Sequence, residues 1–212
     1  MLQLWRKSLS ALLNTNTLVY FLMLCILTLL VLFTKKALVE NQTLAFQILQ
    51  EEGRFGIFRL LNTVQYLAVP LIYLYKFTLI AFVLWIGAMM FGYRITYRQM
   101  WHIALISETV FLLPELIKII WFILTPEPPT LPEIINFYPL SLMNLFDPAT
   151  VPAAWHYPLK ALNLFEVLYW LVLTEAVHLT AGKQWRYALA IVFTSYVMLF
   201  LLWLFYYTLI YK

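Results

Sequence analysis

Residues 101–124, WHIALISETVFLLPELIKIIWFIL, decide the fold because they are apolar enough to cross a bilayer and yet carry charges. The charged residues are Glu108, Glu115 and Lys118, and Pro114 lies among them. An ionised group at the centre of a membrane helix costs about 2.5–3.5 kcal/mol on insertion-based scales. We therefore expect these side chains to face protein or a water-filled cavity, with partners supplied by another span.

The composition predicts the same class of protein. Of the 212 residues, 64% are hydrophobic and 11% are charged, whereas soluble domains carry about 25% charged residues. We predict an all-α, polytopic transmembrane helix bundle that forms one integral membrane domain over residues 1–212. The formal charge of +4 favours orientation and contact with membrane lipids over nucleic-acid binding. A single cysteine, Cys25, excludes a disulfide framework within the chain.

The apolar runs predict about five spans, at residues 17–34, 64–91, 101–124, 159–181 and 187–211. Lys35 and Lys36 are expected to end the first span, and Pro70 is expected to kink the second. Before the second span, the stretch FGIFRLLN predicts a helix at the interface that runs into it.

The N-terminal residues 1–15 predict an interfacial amphipathic helix. One side of its helical wheel carries Leu2, Trp5, Leu9, Leu12 and Leu13, and Arg6 borders that side. The pattern therefore indicates a helix that lies on the membrane surface.

The longest connection, residues 125–158, holds eight of the ten prolines. This density argues against long helices, but the stretch 134–146 is too aromatic for a solvated linker. We expect a compact loop that packs on the bundle, dips into the interface or meets a partner. Asn41-Gln42-Thr43 matches the glycosylation pattern, a weak signal.

The loop charges predict the orientation. Loops 92–99 and 182–186 each carry two basic residues and no acid, which is typical of cytoplasmic loops. Five spans then give a cytoplasmic N-terminus and an extracytoplasmic loop 125–158. Lys35 and Lys36, with Arg54 and Arg59, lie on the opposite side in this arrangement and conflict with it.

Seven ionisable residues fall inside the predicted spans, and we call them the polar set. They are Lys76, Glu108, Glu115, Lys118, Glu166, Glu175 and His178. One interpretation is structural, with ion pairs of Glu115 with Lys118 and of Lys76 with Glu108 or Glu166; Lys76 could instead snorkel to an interface. The alternative is a proton or cation path through Glu108, Glu115, Glu175 and His178.

No metal site, cofactor or enzymatic activity is predicted. Glu175 and His178 have the one-turn spacing of di-metal bundle ligands, but such bundles repeat that motif on a second helix, and here it occurs once. His102 is the other histidine that could join them. The sequence holds no nucleophile elbow, Gly-rich phosphate loop, HExxH motif or repeated cysteine pair.

Several segments resemble the Yip family of Ypt-interacting-protein-like membrane proteins. These are FGYRITYRQMWHIALIS, LNLFEVLYWLVLTEAVHLTAGKQWRYALAIV and the stretch LNTNT at 13–17. The second carries Asn163, Leu164, Phe165, Trp170, Gly182 and Lys183 at the spacing of that family's fourth span and the short basic loop after it.

The resemblance implies five spans with a cytoplasmic N-terminus and no catalytic residues. Eukaryotic members bind small GTPases through a long cytosolic N-terminal region, whereas only 16 residues precede the first predicted span here. The chain therefore looks like a short bacterial member, for which the family implies no settled activity. We predict a non-enzymatic accessory or scaffold subunit of an inner-membrane assembly, of secretion or trafficking type. Its partners would be lipids and other integral membrane proteins, with a homo-oligomer as a further option. The alternative function is a small proton- or cation-coupled transporter or channel.

Overall fold

The computed structural model describes residues 2–39, 55–125, 129–182 and 184–211, and within them every regular element is a helix. The α-helices are α1 (Leu2–Leu13), α2 (Thr17–Leu38), α3 (Phe55–Met90), α4 (Tyr97–Ser107), α5 (Leu112–Leu124), α6 (Leu131–Asn136), α7 (Ala153–Ala161), α8 (Leu164–Ala181), α9 (Trp185–Val192) and α10 (Met198–Ile210). A 3₁₀ turn at Glu108–Phe111 joins α4 to α5, another covers Leu142–Leu145, and a π-helical turn at Phe193–Val197 joins α9 to α10. The all-α prediction is confirmed for these residues, and the sequon at 41–43 lies outside them.

Four helical stretches of the described chain are long and apolar enough to cross a membrane, namely Thr17–Leu38, Thr63–Met90, Leu164–Ala181 and Trp185–Ile210. The first continues past Lys35 and Lys36, which were expected to end it. Lysine is a good helix former, and its charge is favourable in the last turn, where the helix dipole is negative. The expected interfacial helix at FGIFRLLN is the start of the continuous helix α3, and Pro70 lies inside it.

The stretch predicted as the third span is helical but is not one helix. Helix α4 ends at Ser107, the 3₁₀ turn follows, and α5 begins at Leu112. Pro114 has no N–H to donate to the preceding turn, and its ring clashes with a carbonyl there. The chain therefore restarts its helix just ahead of Pro114, which occupies the first turn of α5, where proline is tolerated. This break places Glu108 at the junction of two helices.

The predicted fourth span, 159–181, is also divided. Helix α7 ends at Ala161, and α8 begins only at Leu164. The side-chain oxygen of Asn163 accepts the Glu166 N–H at 2.9 Å and caps α8. Such a cap satisfies a donor that a helix start leaves open. Within the described residues, the only β-bridge joins Ser141 to Asn163 and ties the long connection to this start.

Helix α8 lies at the centre of the bundle. Half of its span, 50%, is buried by protein, compared with 22% for the peripheral α2. Its Tyr169 and Leu173 are fully buried, as are Phe77 and Leu84 of α3 and Ile103 of α4. In a bilayer this packing is driven by van der Waals contact rather than by removal of apolar surface from water.

Two ring contacts define the ends of the bundle. Tyr93 and Tyr187 lie 6.4 Å apart, so the two basic loops are neighbours. We call this the basic end, and α2 also begins there. At the opposite end, Tyr157 and Tyr207 lie 4.7 Å apart, beside residues 129–163, which we call the outer segment.

Helix α1 folds back against the basic end. Its Leu9 is buried, while Trp5 and Leu12 are 40% and 36% exposed. The chain turns between α1 and α2, where the side chain of Asn16 caps the start of α2. The N-terminal helix is therefore packed on the bundle through the leucine at the middle of its predicted apolar side.

Candidate functional site

Lys76 and Glu108 form an ion pair between α3 and the 3₁₀ turn. Lys76 Nζ lies 2.6 Å from Glu108 Oε1, and the Glu108 side chain is only 5% exposed. The ammonium also lies 4.9 Å from the centre of the Phe111 ring, a cation–π contact. Of the two predicted partners for Lys76, the structure therefore gives Glu108.

Glu166 is satisfied by neutral donors instead. Its Oε1 accepts the indole N–H of Trp170 at 2.8 Å and the hydroxyl of Tyr196 at 3.1 Å. Tyr169 lies between these groups and the ion pair, with ring-centre distances of 5.0 Å to Phe111 and 5.4 Å to Tyr196. The two buried carboxylates, Glu108 and Glu166, therefore lie on either side of Tyr169, and only Glu108 is paired with the lysine.

Glu115 forms an ion pair with a residue of α2, and not with the lysine three residues further along its own helix. Lys35 Nζ of α2 lies 3.1 Å from Glu115 Oε2, so the predicted pair of Glu115 with Lys118 is corrected. Residues three apart share a helix face, but packing of α5 against α2 turns Glu115 towards Lys35. Lys118 donates a hydrogen bond to the Ile134 carbonyl of α6 instead.

Glu175 is held by the N-terminal helix. Arg6 Nε lies 2.8 Å from Glu175 Oε1, and the carboxylate side chain is 5% exposed. The N–H does not point at this oxygen well enough to count as a hydrogen bond, so the contact is an ion pair. Sequence reasoning missed Arg6, and the available signal was its position at the border of the apolar side of α1.

His178 lies one turn after Glu175 on α8, and its carbonyl accepts the N–H of Gly182 at the helix end. His102 lies on α4, where its Nε2 is 3.3 Å from the Leu12 carbonyl of α1. Among the described residues no group of three histidine, cysteine, aspartate or glutamate side chains could hold a metal ion.

The polar set is therefore divided by the structure. Lys76, Glu108 and Glu166 come together around Tyr169, whereas Glu115 pairs at the α2–α5 contact and Glu175 at the α1–α8 contact. Each of the three ion pairs joins two different helical elements. The ion pairs therefore link α3 to the 3₁₀ turn, α2 to α5, and α1 to α8.

The outer segment is built around helix α6, whose two ends are both capped. At its start the Thr130 N–H donates to Glu133 Oε2 at 2.8 Å, completing a capping box. These hydrogen bonds hold the pKa of the Glu133 carboxyl below its ordinary value. At its end, Lys118 and Lys160 donate to the carbonyls of Ile134 and Ile135, where the dipole favours cations.

Aromatic rings attach the outer segment to α5. Phe137 stacks on Trp121 at a centroid distance of 5.6 Å and meets Phe122 edge-on at 5.5 Å. These rings line a cavity of about 570 Å³ together with Phe146 and Met143. The predicted compact loop that packs on the bundle is what the structure shows here.

Comparisons of the chain with protein-family models, with curated proteins and with solved structures found no match. The resemblance to the Yip family stays a prediction.

Proposed function

We propose that this chain is a non-enzymatic accessory or scaffold subunit that binds other integral membrane proteins in an assembly of the bacterial inner membrane. The proposal rests on the apolar surface of the outer segment, residues 129–163. Its helix α6 is capped at one end by Lys118 and Lys160 and at the other by a capping box, and yet the segment presents large apolar side chains outward. Ile135 is 62% exposed, Leu140 59% and Leu145 75%.

An apolar surface whose helix is capped at both ends suits protein binding for two reasons. Aromatic residues and methionine are enriched in interfaces, and a surface that is ordered before binding loses less conformational entropy. The polar set does not require a separate function such as ion transport, because three of its carboxylates already have cationic partners within the bundle.

Native purification from the membrane in mild detergent, followed by mass spectrometry of co-purified proteins, tests the proposal. A stoichiometric membrane partner is expected. Leu145→Asn should release that partner, whereas Ala149→Asn, at a neighbouring exposed position, should retain it. Recovery of the chain alone in every case would overturn the accessory-subunit proposal.

We further propose five passes through the membrane with a cytoplasmic N-terminus, and α1 at the interface. The third pass would consist of α4, the 3₁₀ turn and α5. The proximity of the two basic loops supports this orientation, because short basic loops stay in the cytoplasm. In a Cys25→Ser background, Arg94→Cys should be protected from an impermeant thiol reagent in intact cells and Thr150→Cys should be labelled. The reverse labelling would contradict this topology.

A second candidate function is a proton or cation path, favoured by one observation. Glu166 is only 5% exposed, and the hydrogen bonds that its carboxylate accepts within the described residues come from the neutral side chains of Trp170 and Tyr196. Burying a net charge is costly, and a bound proton or cation would neutralise it. Glu166→Gln and Glu108→Gln should then abolish flux in proteoliposomes. If they lower only yield or thermal stability, the charges are structural.

A further inference from the structure

A polar cavity of about 420 Å³ opens at the basic end, between α1, α4 and the last turns of α8. We propose that it binds a phosphate group, carried either by a lipid head group or by free phosphate. Its lining residues are Ser10, Leu13, Asn14, Thr15, Thr17, Thr96, Arg98, Gln99, His102, Leu179 and Thr180. All but two of them have a polar side chain, and none is acidic.

Arg98 gives the cavity its positive charge. The guanidinium is exposed and makes no ion pair with any residue in the described part of the chain. The carboxylate of Glu175, on the α8 helix that also lines the cavity, already pairs with Arg6. A planar guanidinium with free donors is the side chain best suited to hold a phosphate by two hydrogen bonds.

The backbone adds to this charge. Helix α2 begins at Thr17 and α4 begins after its cap Thr96, and both residues line the cavity. Helix starts carry a partial positive charge that attracts anions. Arg98 lies in the first turn of α4, where this charge disfavours a cation, and a bound anion would relieve that repulsion. The end of α8 also reaches the cavity through Leu179 and Thr180, and its partial negative charge opposes the positive charge of Arg98 and of the two helix starts.

His102 is the independent sign of a ligand. Its side chain lines the cavity although the residue is only 7% exposed. Because Nε2 faces the Leu12 carbonyl at 3.3 Å, this nitrogen carries the proton. The other nitrogen, Nδ1, is buried with no hydrogen-bond partner among the described residues. Free phosphate can donate to it from a P–OH group, whereas a lipid phosphodiester has no such proton, so beside a lipid head group the donor would be a bound water.

Hydroxyl groups complete the lining. Those of Ser10 and Thr180 each donate to a carbonyl of their own helix at 2.8 Å, and such rotors can turn to donate to an anion instead. The cavity lies beside the basic loops and α1, which is where the head groups of the surrounding lipid would lie in the proposed topology. Phosphate chemistry is therefore favoured by charge, by donors and by location.

Thermal unfolding of the full-length protein in a neutral detergent, followed by tryptophan fluorescence, tests the proposal. The probes are inorganic phosphate and dihexanoyl-phosphatidylglycerol below its micelle concentration, with sodium chloride at matched ionic strength as the control. A ligand that binds the folded state raises the unfolding temperature with its concentration. Stabilisation by phosphate indicates a site for the free ion, and stabilisation by the lipid alone indicates a head-group site. No shift with either probe beyond that of chloride would overturn the proposal.

Arg98→Gln should weaken binding at least about tenfold, because a hydrogen bond to a charged group is lost. Arg94→Gln is the matched control, since Arg94 is an exposed arginine of the same loop that does not line the cavity. Ser10→Leu, which fills the cavity without changing charge, should also weaken binding. Equal losses in the Arg94 and Arg98 variants would show general surface attraction and would overturn the site.

Discussion

Arg6 Nε lies 2.8 Å from Glu175 Oε1, so an ion pair joins the N-terminal helix α1 to α8, the most buried of the four helices that could cross a membrane. The arginine side chain is 47% exposed, whereas the carboxylate is 5% exposed. An ion pair of this kind stabilises mainly by sparing the buried partner an unpaired charge. The contact makes α1 part of the bundle, although its pattern alone is that of a helix lying on the surface.

Arg6→Gln should lower the free energy of unfolding by about 1–2 kcal/mol, less than for a fully buried pair because Arg6 is half exposed. Unfolding by SDS in mixed micelles measures this loss. Lys7→Gln, an exposed neighbour, is the control and should change stability by less than about 0.5 kcal/mol. If the two variants are equally stable, the ion pair does not hold α1.

Lys76→Met should cost more, about 2–4 kcal/mol, because it leaves the Glu108 carboxylate buried without its cation. The double variant with Glu108→Gln should lose less than the sum of the two single variants, with a coupling of about 0.5–3 kcal/mol. The same SDS titration measures the stability of the wild type, the two single variants and the double variant, which together form a double-mutant cycle. Tyr75→Phe serves as the control on the same helix, and strictly additive losses would show that the pair contributes no coupling.

Gly87→Ala should destabilise the bundle by about 1–3 kcal/mol, as overpacking does. A Cβ at this position would lie 2.8 Å from Ser195 Cβ and 2.9 Å from its Oγ. Helix α3 therefore approaches the π-helical turn at a point where only glycine fits. Thermal unfolding in detergent should show the loss, and it should shrink when the substitution is made in a Ser195→Gly background. If Gly87→Ala destabilises the Ser195→Gly protein as much as the wild type, contact with Ser195 is not the cause of the destabilisation.

Glu133 should titrate below the ordinary glutamate value of 4.5, because the hydrogen bonds from Thr130 favour the carboxylate. A lowered folded-state pKa means that this contribution to stability is present above the unfolded value and is lost as the pH falls through the folded one. A pH titration followed by carboxyl-carbon NMR of labelled glutamate measures the pKa of Glu133, and Glu133→Gln assigns its signal. Thr130→Pro removes the backbone N–H that has the larger effect and should return the pKa towards 4.5, whereas Thr130→Ala keeps that N–H and should return it only in part. An unchanged pKa in Thr130→Pro would contradict the capping box as the cause.

Local pattern predicted the secondary structure well, and the predictions that were wrong have local physical reasons. Apolar runs of the length of a bilayer predict helices, because backbone groups in lipid must be satisfied within the segment. The break between α4 and α5 comes with Pro114, a residue that sequence analysis had singled out without predicting a new helix start. The division at Asn163 was missed, although a capping asparagine before an apolar run is a recognised start signal.

The sequence by itself determined that the described residues form helices, that four helical stretches are long and apolar enough to cross a membrane, and that the charges within the bundle need partners. These properties follow from composition and period, which are local. Only the tertiary structure decided the partners, giving Lys76 to Glu108, Lys35 to Glu115 and Arg6 to Glu175. Spacing reports which residues share one helix face, whereas an ion pair between helices depends on how their apolar surfaces pack, and that information lies in no single segment.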